Sequence, residues 1–65
     1  MHFREVITAL LADGWREVRV RGSHHHFRHA EKLGTVTVPH PMRDLRRGTL
    51  KSIERQSGLR FRRGG

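Results

Sequence analysis

The sequence contains no cysteine. A disulfide framework and a thiolate zinc site are both excluded, so the fold must rest on side-chain packing. Acidic residues are scarce, with 6 Asp and Glu against 14 Lys and Arg. No apolar run approaches the roughly 20 residues that a membrane-spanning helix needs. The N-terminus, Met1-His2-Phe3-Arg4-Glu5, lacks the basic start and apolar stretch of a signal peptide. These absences predict a soluble, cytoplasmic, unprocessed chain with no membrane partner. Internal repeats, low-complexity segments and interdomain linkers are absent as well. With 65 residues there is space for one small domain and none for a cofactor-binding one. An enzyme of this size has to take its substrate on an open surface.

The formal net charge is +8, and most of the basic residues are arginine. Arginine presents a planar fork of donors that fits phosphate and stacks on bases. A surplus of this kind is the footprint of a nucleic-acid binder, or of a protein neutralised by an acidic partner. The two are compatible, because a regulator of a nucleic-acid enzyme often imitates the charge of its substrate.

Apolar periodicity predicts the elements. Phe3, Val6, Ile7, Leu10 and Leu11 form one stripe of a helix over residues 2–12. Gly14 stands at the position that ends such a helix, with Trp15 folding back on the Leu10 region. Residues 15–21 alternate, which predicts a strand with Val18 and Val20 inward and Arg19 and Arg21 outward. Gly22-Ser23 is a tight turn. Residues 24–29 predict a second strand around Phe27, and Thr35 to Val38 a third, stopped by Pro39 and Pro41. A basic loop over 40–48 leads to a second helix with Thr49 as its N-cap, Leu50 and Ile53 as its apolar face, and Gly58-Leu59 as its stop. The tail from Arg60 to Gly65 is expected to fray, with Phe61 able to dock. The expected domain is therefore residues 1–59, with 60–65 as a basic tail.

The element order is α-β-β-β-α. Short turns make the strands an antiparallel meander, and both helices must bury their stripes on the one apolar face of the sheet. The fold class is α+β, with a three-stranded antiparallel sheet and two helices on one side. If Phe27 faces the core, strand parity puts His25 and His29 on its side. His24, His26 and Arg28 then point outward beside Arg19 and Arg21, with Thr35 and Thr37 on the third strand.

Four histidines, His24, His25, His26 and His29, lie within six residues. Three kinds of chemistry fit such a cluster. One is proton transfer, since an imidazole can take or give a proton near neutrality. RNA carries its own nucleophile, the 2′-OH, so a histidine beside arginines can serve as base with no metal. DNA lacks that hydroxyl. Another is a metal site on His24 and His26, disfavoured by the missing cysteine, the few nearby acids and the +8 charge. The last is a solvated strand face, with His25 or His29 packed against the helices.

Read in order, Gly14-Trp15, Val18-Arg19, Arg21-Gly22-Ser23-His24-His25-His26-Phe27, Val36-Thr37-Val38-Pro39-His40-Pro41, Gly48-Thr49-Leu50-Lys51-Ser52-Ile53 and Ser57-Gly58-Leu59 resemble the HicA family of messenger-RNA interferase toxins. The resemblance spans residues 3 to 59. It implies a double-stranded-RNA-binding-domain-like fold and a metal-independent endoribonuclease that needs no cofactor and arrests growth by cutting messenger RNA. The histidine directly after Gly-Ser, here His24, would be catalytic, with Gly22 and Ser23 as supporting motif positions. The implied partner is a HicB antitoxin that covers the active surface. Operator DNA would be reached only through the toxin–antitoxin complex.

No second catalytic group is obvious from the motif. His26 shares the expected face with His24 and is a candidate acid or base. Arg19, Arg21 and Arg28 are candidate phosphate contacts. So are Arg46, Arg47 and Lys51, clustered with Arg43 near the start of the second helix, where free N–H groups attract phosphate. The same cluster suits acidic residues of an antitoxin. Trp15 is expected in the core, and His40 in a loop-shaping or antitoxin-touching position. The competing reading is a non-catalytic RNA-binding module.

Overall fold

The computed structural model describes residues 2–39 and 45–61. Helix α1 spans Phe3–Ala12 and strand β1 spans Trp15–Arg21. Strands β2 and β3 span His24–His29 and Thr35–Pro39, and helix α2 spans Arg47–Ser57. The strands form one antiparallel sheet in the order β1-β2-β3. This is the α-β-β-β-α, double-stranded-RNA-binding-domain-like arrangement that the sequence predicts. The expected roles of His40, Pro41 and Arg43, and the tail beyond Phe61, fall outside the described residues.

Each helix is delimited by its ends. The His2 ring caps α1, its Nδ1 accepting from the Arg4 backbone N–H at 3.1 Å. At the other end Gly14 takes φ +102° and its N–H donates to the Leu11 carbonyl. Helix α2 starts three residues before the expected point. Its N-cap is Arg46, with no side-chain cap bond, and Thr49 sits inside the first turn. The reason lies in Leu45, which is 3 % exposed and seats the chain in the core just before the helix. Gly58, at φ +77°, ends α2 as predicted.

The core joins both helices to one sheet face. Val6 and Leu10 of α1 and Leu50 and Ile53 of α2 cluster with Trp15, Phe27, Val36 and Val38. Leu45 and Phe61 complete it. Phe61 does dock, its N–H donating to Glu54 Oε2 at 2.7 Å. Leu11, expected on the apolar stripe, is 53 % exposed and lies off the buried side of α1.

Strand β1 departs from simple alternation. Trp15 and Glu17 pair with His29 and Phe27, then the register shifts, and Arg19, Val20 and Arg21 pair with His26, His25 and His24. The shift is a β-bulge with Val18 as its extra residue. The expectation that Val18 points to the core is therefore wrong. It is 57 % exposed and lines the open sheet face beside Arg19. Val20 falls on the helix side by register but remains half-exposed. The bulge also moves Glu17 to the helix side, opposite Phe27.

Candidate RNA-cleaving face

The β1–β2 turn sets the corner of the site. Gly22 takes φ +56° while Ser23 keeps a negative φ, so only the first central residue needs left-handed backbone. Glycine supplies that conformation without strain, and the turn matches the twist of the paired strands. A Cβ at Gly22 would meet nothing within 4 Å, so the requirement lies in the backbone and not in space. His24 is the first residue of β2, paired with Arg21 on one side and Pro39 on the other.

Parity on β2 then sorts the histidines. Phe27 is 1 % exposed and faces the helices, with His25 and His29 on its side. Arg19, Arg21, His24, His26 and Arg28 meet on the other side with Val18, Thr35 and Thr37. Together they line an open depression of about 660 Å³. Three guanidinium groups surround two imidazoles there, and among the described residues no carboxylate lines it. Every residue that parity assigns to the outer face is brought together. Arg46, Arg47 and Lys51 are exposed but do not line this depression. Lys51 instead borders a shallow groove along α2 with Glu54, Arg55 and Arg60.

The two outward histidines differ in support. Among the described residues, the His24 ring has no hydrogen-bond partner, and the side chain is exposed. His26 is half-buried, and its Nδ1 shares a hydrogen bond with Thr37 Oγ1 at 3.1 Å. Thr37 is itself held from outside the sheet, its backbone N–H donating to Gln56 Oε1 of α2 at 3.1 Å.

The inward histidines do structural work. The His29 Nδ1 accepts from the backbone N–H groups of Glu31 and Lys32, at 2.9 and 3.1 Å. That fixes the tautomer, so Nε2–H donates to the Asp13 carbonyl at 2.6 Å. The ring also meets Trp15 edge-on at 5.2 Å. His25 pairs with Glu17 across the strands. Trp15 is fully buried and its Nε1–H donates to Asp13 Oδ2 at 3.1 Å. The same Asp13 oxygen accepts from Lys32 Nζ at 2.6 Å, and Lys32 reaches the Ser57 carbonyl at 3.1 Å. The hydrogen bond from Lys32 holds the Asp13 carboxyl below its ordinary range, against an opposing effect of desolvation. Among the described residues, no group of three or more histidines and acids is placed to hold a metal ion. Nor is any described helix long and apolar enough to cross a membrane.

Sequence reasoning missed three of these supports. Thr37 as the partner of His26 is visible once strand register is known, since the two are direct cross-strand neighbours. Gln56 carries no local signal. The bulge at Val18 has one, the mismatch in parity between Trp15 and the two valines of β1.

A model of the HicA toxin family of bacterial toxin–antitoxin systems matches residues 3–59. The chain belongs to that family. It is thus a toxin of the kind that works against a cognate antitoxin. No curated protein matches the chain.

Proposed function

We propose that this toxin is a metal-independent endoribonuclease that cleaves messenger RNA on the open face of its sheet. The observation that carries the reading is the company His24 keeps. An exposed imidazole stands among Arg19, Arg21 and Arg28, and among the described residues its ring has no hydrogen-bond partner and its face no carboxylate. His24 takes the proton from a ribose 2′-OH. The oxygen attacks the adjacent phosphorus, and the arginines stabilise the negative charge of the phosphorane. The products carry a 2′,3′-cyclic phosphate and a 5′-OH. The nucleophile belongs to the substrate, so neither metal nor cofactor is required, and DNA is spared.

Gly22 and Ser23 serve this step by fixing where β2 begins and hence where His24 stands. Arg46, Arg47 and Lys51 lie apart from the depression and act on more distant phosphates of a long RNA, or on acidic antitoxin residues. The antitoxin is a HicB protein that covers the basic face and silences the enzyme. Operator DNA is engaged only through that complex. The toxin acts in the cytoplasm, where messenger RNA is translated, and cutting arrests growth as a stress response.

The test incubates the protein with a long single-stranded RNA in EDTA, beside a His24→Ala variant shown to be folded by circular dichroism. Expected is cutting by the parent, cyclic-phosphate ends, and a loss of at least about 100-fold in the variant, the low end for a general base. Equal cutting by both would remove His24 from the mechanism. Binding without cutting by either would make the chain a non-catalytic RNA-binding module.

A further inference from the structure

Base catalysis at His24 completes half of a transesterification. The departing 5′-oxygen must also receive a proton, and an alkoxide is a poor leaving group without one. We infer that His26 is the general acid, held for that task by the Thr37 hydroxyl; this rests on the ribonuclease reading of the same face.

Three observations meet on His26. It lines the same depression as His24, two residues further along one strand. Strand geometry separates the two positions by about 7 Å. Two rings that far apart on one face can converge on the two apical oxygens of one in-line phosphoryl transition state, each within hydrogen-bond reach. His26 is also the outward histidine with an anchored ring. Its Nδ1 is engaged by Thr37 Oγ1 at 3.1 Å, which leaves Nε2 for the substrate. Finally, the anchor is braced. Gln56 of α2 binds the Thr37 backbone N–H, so helix, edge strand and imidazole form one chain of contacts. A hydroxyl suits this place because it accepts from Nδ1–H of the cationic ring and can donate to the nitrogen when needed.

The step balances without any further reagent. The 2′-OH gives its proton to His24 and forms the new bond to phosphorus. The bond from phosphorus to the 5′-oxygen breaks, its electron pair stays on that oxygen, and the Nε2 proton of His26 joins it. Neutral His26 and protonated His24 then exchange protons with water to restore the starting state. Arg19, the β1 neighbour of His26, and Arg28 on its own strand face the transferring phosphate. Thr37 acts through the His26 ring and is a positioning residue.

A sulfur in place of the 5′-oxygen separates acid from base, because a thiolate leaves without protonation. A cut site is first mapped with the parent protein. An RNA oligonucleotide spanning it is then made with either the natural linkage or a bridging 5′-phosphorothiolate. His26→Ala is expected to cut the natural linkage about 100-fold more slowly than the parent and the sulfur linkage at nearly the parental rate. His24→Ala is expected to remain defective on both. Thr37→Val should slow the natural linkage about 10-fold, Thr37→Ser should restore it, and Thr37→Val should have no effect in the His26→Ala background. A His26→Ala enzyme that cuts the natural linkage at the parental rate, or stays equally slow on both linkages, overturns the acid role and leaves the His24 mechanism standing. A parent that yields no cut site to map overturns the ribonuclease reading and this role together. Equal slowing of Thr37→Ser and Thr37→Val overturns the positioning of His26 by the hydroxyl.

Discussion

One hexapeptide, His24 to His29, supplies both faces of the sheet, and the two faces could hardly differ more. On the helix side Phe27 is buried, His29 is bound through both ring nitrogens, and His25 pairs with Glu17. On the open side His24 is exposed with no hydrogen-bond partner among the described residues, and His26 stands among arginines. Residue type therefore does not decide what a histidine does here. Position along a period-2 strand does, because parity chooses between a side packed under the helices and an open, cationic one. Stability should be concentrated on one face and chemistry on the other.

The largest test of that division sets Phe27→Ala against His24→Ala. Truncating a fully buried phenylalanine removes packing from α1, α2 and the sheet at once. The expected cost is about 3–5 kcal/mol, a large share of the stability of so small a domain. The His24 change is on the surface and should stay within about 0.5 kcal/mol. Urea denaturation of the two variants measures both. A His24 cost near that of Phe27 would mean that the open face also holds the fold together.

A middle-sized effect sharpens the same contrast at two valines. Val36 is fully buried and Val18 is 57 % exposed. Replacing Val36 by Thr buries a hydroxyl with no ready partner and should cost about 1–3 kcal/mol. Replacing Val18 by Thr should change stability by less than about 0.5 kcal/mol. Thermal melts of both variants decide it. Equal costs would place Val18 in the core and remove the bulge.

The valine pair also marks where the sequence is readable. Elements and their order follow from period, and every outward residue of β2 and β3 follows from one assumption, that Phe27 is core. In β1 the same reasoning holds two incompatible commitments. Its patterns predict Trp15 in the core and Val18 and Val20 there as well. Strict alternation cannot place residue 15 on one side with 18 and 20. The conflict is itself the signal of a bulge somewhere between 15 and 20, though not of its position. Pairing settles that, because the shift falls between Glu17 and Arg19. Arg19 and Arg21 follow the bulge and point outward, as alternation predicts. Leu45 shows another limit. A lone apolar residue in a basic stretch has no period, so nothing local declares it buried. Thr37 and Gln56 could not be assigned as supports because each acts across the sheet or between layers, at sequence distances that patterns do not reach.

The smallest expected effect lies at the end of the closed face, where Asp13 joins Trp15, Lys32 and, through its carbonyl, His29. Its carboxyl is held below the ordinary range mainly by the hydrogen bond from Lys32. A carboxyl whose folded value is depressed binds protons more readily in the unfolded chain. Its contribution is therefore complete above the ordinary aspartate value and drains away as pH falls through the lower, folded one. The Asp13→Asn variant keeps an acceptor oxygen for Trp15 and Lys32 but loses the charge. It should melt slightly below the parent at neutral pH, and the gap should close as pH drops below about 4. Lys32 is substantially exposed, so solvent screening keeps the gap small. Melting temperatures of both proteins between about pH 2 and pH 7 test this. A gap that persists unchanged into acid would assign the role of Asp13 to hydrogen-bond geometry alone. In either case ribonuclease activity at neutral pH should be unaltered, because Asp13 sits on the side of the sheet that does not touch substrate.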